Sequence, residues 1–129
     1  MTSVTIVKEF TFDAAHMLNG HEGNCKNLHG HTYKLQVGVR GPIKEERGTS
    51  DEGMVLDFDQ LKQVVKREII QKLDHHYLND VLPFRPTSEN MAVWMMEVLK
   101  KAGLPVKLIK LYETPTSWVE VDERDVIVD

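Results

Sequence analysis

The chain has a single cysteine, Cys25, among 129 residues. One thiol excludes a disulfide framework within the chain and suits a reducing compartment. Long apolar runs are also missing: no stretch of about 18 apolar residues occurs, so no transmembrane helix is expected. The opening residues, MTSVTIVKEF, lack a basic segment followed by an apolar one, and no signal peptide is expected either. Together these absences predict a cytoplasmic protein with no membrane partner. Basic residues are not in excess. Sixteen Lys and Arg stand against 20 Asp and Glu, a formal net charge of −4, which argues against a nucleic-acid partner. A local basic pocket for a phosphorylated small molecule is compatible with that balance.

What is present is the composition of a globular domain, 41% hydrophobic and 28% charged. The length suits one domain, residues 1–129, with a hydrophobic core of its own. No repeat, low-complexity tract or linker interrupts it. From about Val4 to His16 the even positions Ile6, Phe10, Phe12 and Ala14 are apolar, with Lys8 the exception, and that period of two predicts a strand. The connection NGHEGNCKN leads to a second strand, HTYKLQVGVRG. PIKEERGTSDE then reads as an exposed loop.

In MVLDFDQLKQVVKREIIQKL, Phe58, Leu61, Val65, Ile69 and Leu73 recur at helical spacing, with Asp57 and Gln60 as a capping-box-like start. A second helix is predicted at SENMAVWMMEVLKKAG, its apolar face Met91, Met95, Val98, Leu99 and Ala102, ended by Gly103 and Pro105. KLIKLYET and SWVEVDE close the chain as strands joined by a turn at Pro115-Thr116. The order ββααββ predicts an α+β domain, a four-stranded antiparallel sheet with two helices on one face. The edges of so small a sheet invite association with further copies.

Six histidines carry most of the chemical interest, and three of them suggest metal. His29 and His31 are two apart at a strand start, so both imidazoles can point at one ion. His16 ends the preceding strand on the parity of Phe10 and Phe12, and an antiparallel hairpin would bring its ring beside theirs. Three imidazoles with an open fourth position would form a catalytic zinc site. The plain alternative for H-x-H is two solvated histidines near a turn. Cys25 has four readings: a fourth ligand, a nucleophile, a general base, or a small buried residue.

Two further groups stand out. In LDHHYLND, Asp74 precedes His75, a carboxylate placed to orient an imidazole for proton transfer. A histidine favoured by the helix dipole is the structural alternative. Glu113 in LYETPTSW ends the apolar stripe of Ile109 and Leu111, where burying a carboxylate requires a partner. That partner is a Lys or Arg, or a ligand with paired N–H donors. PTSEN reads mainly as helix N-cap chemistry, with Thr87 or Ser88 as cap.

Taken together, FDAAH, CKNLHGHTY, LDHHYLN, PTSEN and YET resemble the 6-pyruvoyl-tetrahydropterin synthase superfamily, over about residues 6–121. The Cys-x-x-x-His-x-His spacing resembles its 6-carboxy-tetrahydropterin synthase branch, of queuosine (7-deazaguanine) biosynthesis. The resemblance implies the tunnelling fold, assembled as trimers stacked into homohexamers with interfacial active sites. It implies 7,8-dihydroneopterin triphosphate as substrate, and 6-carboxytetrahydropterin, acetaldehyde and triphosphate as products. By position it implies zinc on His16, His29 and His31, Cys25 as base, Asp74 and His75 as proton relay, and Glu113 as anchor of the pterin ring. The alternatives are a pyruvoyl-forming synthase and a non-catalytic zinc-stabilised oligomerisation module.

Overall fold

The computed structural model describes residues 2–20, 22–23 and 27–128. Its sheet is built on alternation. In β1 (Ser3–His16) the side chains of Phe10, Phe12, Ala14 and His16 are buried while Thr11 and Asp13 face out. In β2 (His29–Pro42) the inward residues are Tyr33, Leu35 and Val37. The two strands pair antiparallel with Phe10 opposite Leu35, Phe12 opposite Tyr33 and His16 opposite His29. The rings of Phe12 and Tyr33 stack with centroids 4.9 Å apart, a cross-strand contact that helps hold this register.

Asp57 caps the first helix by accepting from the Asp59 N–H at 2.8 Å. The helix runs as α1 (Phe58–Val65), a π-helical turn (Lys66–Ile70) and a final α-helical turn, α2 (Gln71–Leu73). Leu61, Val65, Ile69 and Leu73 are all fully buried and recur every four residues. An α-helix has 3.6 residues per turn, so that stripe would drift around a regular helix. The wider π turn keeps all four side chains on the core. Phe58, expected on the same stripe, is half exposed at the first turn.

After the helix the structure departs from the expected four-stranded sheet. β3 (His76–Tyr77) pairs parallel with β1, giving a five-stranded sheet in the order β3-β1-β2-β4-β5. His75 adopts φ 60°, the left-handed region, and turns the chain back beside β1, where its N–H donates to the Asp13 carbonyl at 2.6 Å. Two residues are too few to show an alternation, which is why this strand has no sequence signature. α3 (Leu78–Val81) follows, then α4 (Ser88–Lys101).

α4 buries Met91, Ala92, Met95, Met96 and Leu99, so its methionines are core. Val98 is partly buried and Ala102, the C-cap, is exposed. β4 (Val106–Thr114) pairs with β2, and β5 (Ser117–Asp122) returns along β4 after the Pro115-Thr116 turn. Each buried Leu, Ile or Met side chain stabilises this arrangement by about 1.5–3 kcal/mol. The helices lie on the face of Phe10, Leu35 and Ile109, while the other face leaves Val7 and Trp118 about half exposed. Among the described residues no helix is long and apolar enough to cross a membrane.

Candidate active site

The hairpin register places three imidazoles together. His16 faces His29 directly across the β1–β2 pair, and His31 lies two residues further along β2 on the same face. Their ring centroids are 4.6 Å (His16–His29), 5.1 Å (His16–His31) and 4.7 Å (His29–His31) apart. One ligand atom from each, with a carboxylate oxygen of Glu113, lies within 4.8 Å of all the others.

Proton positions follow from the partners. His16 Nδ1 is 2.9 Å from the Pro86 carbonyl, and His29 Nδ1 is 2.7 Å from the Asn27 carbonyl. A carbonyl only accepts, so each Nδ1 donates and each neutral ring carries its lone pair on Nε2. Those two Nε2 atoms face each other at 3.1 Å with no proton left to share. His31 Nε2 is buried and makes no hydrogen bond among the described residues. Burial lowers the His31 pKa; the Glu113 carboxylate opposes that shift, and His16 and His29 add to it. Imidazole Nε2 atoms that converge, two of them on rings whose Nδ1–H is fixed by a carbonyl, are a donor set that a metal ion takes. The residues present therefore fit an ion held by His16, His29 and His31.

Glu113 reaches this cluster from β4, where the register with β5 shifts between Tyr112 and Thr114. One of its oxygens, Oε1, lies 3.3 Å from His31 Nε2 without hydrogen-bond geometry. The other, Oε2, accepts from the Ser88 hydroxyl at 2.6 Å. Ser88 begins α4 and is 6% exposed. Thr87 is the N-cap, its Oγ1 accepting from the Asn90 N–H at 3.1 Å. The PTSEN segment thus both caps the helix and binds Glu113; the sequence reading has the cap, and free N–H groups able to hold a ligand, but not the Ser88 contact with Glu113. A cavity of about 410 Å³ opens beside Glu113 and His31, walled by Thr11, Lys34 and Tyr112.

Asp74 and His75 form a separate group with Asp13. Asp74 Oδ1 accepts from the Asp13 N–H at 2.9 Å and Oδ2 lies 3.1 Å from His75 Nδ1. The Asp13 N–H, the largest influence, holds the Asp74 carboxyl below its usual pKa, with His75 adding to the shift. The His75 side chain is 78% exposed, on the rim of a cavity of about 550 Å³ that also reaches His31. The Asp13 side chain projects from the face opposite the three imidazoles, bonded to the Thr32 hydroxyl. His76 turns its Nδ1 to the Asp74 carbonyl at 2.8 Å. Cys25 lies outside the described residues.

The pattern of the family described as 6-pyruvoyl tetrahydropterin synthase matches residues 5–124, nearly the whole chain. The chain belongs to this family. A relative from Haemophilus influenzae named 6-carboxy-5,6,7,8-tetrahydropterin synthase is 39% identical over 140 residues, covering 92% of this chain and 98% of that one. One of the same name from Synechocystis is 44% identical over 114 residues, covering 87% and 88%. The structure of Caenorhabditis elegans 6-pyruvoyl tetrahydropterin synthase superposes with a TM-score of 0.80 at 28% identity, covering 95% of this chain and 96% of that one. The α+β tunnelling fold is thus the fold of this chain, with β3 as an addition to the expected sheet.

Proposed function

We propose that the chain is a zinc-dependent 6-carboxy-5,6,7,8-tetrahydropterin synthase, a carbon–carbon lyase of queuosine biosynthesis acting in the cytoplasm. It takes 7,8-dihydroneopterin triphosphate and water to 6-carboxytetrahydropterin, acetaldehyde and triphosphate. The observation that carries this reading is the convergence of one ligand atom from each of three imidazoles beside Glu113, in a chain whose near full-length relatives bear that name.

In this reading His16, His29 and His31 hold the zinc. When bound, the ion supplies Lewis acidity toward the hydroxyls of the substrate side chain. The chain's own residues do the rest. Glu113 accepts the paired N–H groups of the pterin ring and sets which carbon lies next to the imidazoles. Cys25, four residues before His29 in sequence, removes a proton from the side chain. Asp74 orients His75, which carries protons to and from that position. Because the Asp74–His75 pair stands apart from the imidazoles within one chain, it serves the histidine cluster of a neighbouring copy in a homohexamer.

The test is product analysis. Purified zinc-loaded protein incubated with 7,8-dihydroneopterin triphosphate is expected to release acetaldehyde and triphosphate together with the 6-carboxy product. Formation of a 6-pyruvoyl product without acetaldehyde would reject the assignment in favour of the pyruvoyl-forming reaction. Zinc loss and unfolding on Cys25→Ala would instead mark a structural metal module with the thiol as permanent ligand.

A further inference from the structure

The ladder between β1 and β2 ends at the His16–His29 pair. Past it, a side chain takes over from a strand. Asn79 Oδ1 accepts from the Met17 N–H at 2.9 Å, and Asn79 Nδ2 donates to the Met17 carbonyl at 2.8 Å. One primary amide thus satisfies both backbone groups of Met17, as a facing strand residue would. Asn79 belongs to a segment that laces this end of β1 along its whole edge. Asp74 Oδ1 and the His75 N–H take the N–H and the carbonyl of Asp13, and β3 pairs with Ala14 and Ala15. Asn79 closes the lacing from a position 62 residues away in sequence. Its own place is set by Leu78, fully buried beside it at the start of α3. Between the laced residues stands His16, itself fully buried. Its ring is held by the Pro86 carbonyl, the backbone before it by β3 and the backbone after it by Asn79.

We infer that Asn79 is a positioning residue for the metal ligand His16: its amide pins the chain one residue past the ring and so fixes where Nε2 lies. The inference deepens the proposed function and rests on its assignment of zinc to the three histidines. A metal site holds its geometry within about 0.5 Å, and outer partners of the ligands contribute roughly 10- to 100-fold in affinity. Without the amide, the end of β1 frays and the His16 ring drifts from those of His29 and His31. The ion then keeps two rings firmly instead of three. Losing any partly buried hydrogen bond lowers stability, but only a grip on this ligand also alters the metal site.

The experiment compares wild type, Asn79→Ala and Val106→Ala, a core truncation opposite Val39 at the other end of the sheet. Three properties are measured: zinc affinity by chelator competition, stability of the metal-free chain by urea unfolding, and the visible spectrum of the cobalt(II)-loaded chain. Asn79→Ala is expected to lower zinc affinity about 10- to 100-fold. It is also expected to change the cobalt ligand-field bands at saturating metal. Val106→Ala is expected to lose stability while its zinc affinity and cobalt spectrum stay those of the wild type. Should Asn79→Ala not fold, Asn79→Gln, which keeps the amide but moves it by a methylene, carries the same expectations. A double-mutant cycle then identifies the ligand concerned. Asn79→Ala should cost no further zinc affinity once His16 is replaced by alanine, and should still weaken zinc in the His29→Ala chain.

Zinc affinity that Asn79→Ala leaves unchanged, lowers equally with and without His16, or lowers no more than Val106→Ala does, overturns the role of Asn79. His16→Ala alone separates this from failure of the wider reading. If His16→Ala loses zinc while Asn79→Ala does not, the metal site stands and only the positioning role falls. If His16→Ala binds zinc as the wild type does, the ligand assignment itself is rejected, and the role of Asn79 with it.

Discussion

His16 and His29 each give their Nδ1 proton to a backbone carbonyl, and the metal-binding capacity of the cluster follows from that choice of partner. Removing one ring should cost more than an outer partner would. His29→Ala is expected to lower zinc affinity by more than about 100-fold, read as metal per chain after dialysis. Cys25→Ala is expected to keep its zinc and lose roughly 10²- to 10⁴-fold in kcat, the usual contribution of a proton-transfer group. Asp74 makes a pH prediction. Its folded pKa lies below the usual 3.8, so its contribution to stability is present above that value and lost as pH falls through the folded one. The stability gap between wild type and Asp74→Asn should therefore be open at pH 7 and close in acid. Equal gaps at pH 7 and at pH 2 in denaturant titrations would contradict this.

At the scale of elements, the first helix and the start of α4 show how local chemistry sets the site. Leu73 is the last of four buried side chains kept in phase by the π turn, and Asp74 follows it directly. Leu73→Ala should cost about 2–5 kcal/mol in urea unfolding, as expected of a cavity in a well-packed core. Thr87→Ala should cost about 1 kcal/mol through the lost cap. The period-two strands and amphipathic helices were legible because each repeats its signal over two or more turns or alternations. His76–Tyr77 repeats nothing, and its pairing depends on the left-handed turn at His75. Ser88 was legible only as a possible cap, because its real partner is 25 residues away.

For the whole molecule, the sheet ends in a six-residue strand on one side and a two-residue strand on the other, with one face partly bare. Assembly into the proposed hexamer would cover such edges, and light scattering should report six times the 14.8 kDa chain mass. If neighbouring copies share each active site, two dead variants can repair each other. Hexamers reassembled from a mixture of Cys25→Ala and His75→Ala chains are expected to regain part of the wild-type activity. No recovery in mixed hexamers would place both residues in the service of the same chain's zinc.

The sequence by itself determined the fold class, the H-x-H pair on one strand face and the parity that brings His16 to it, since periodicity and pairing are local properties of the backbone. Family membership was legible too, carried by several short blocks in order. Only the tertiary structure decided that the Nδ1 atoms of His16 and His29 meet carbonyls, that His31 Nε2 makes no hydrogen bond among the described residues, and that Ser88 and His31 approach different oxygens of the Glu113 carboxylate. Those contacts join residues from β1, β2, β4 and α4. A proton's position depends on what lies across space, and no pattern along the chain encodes that distance.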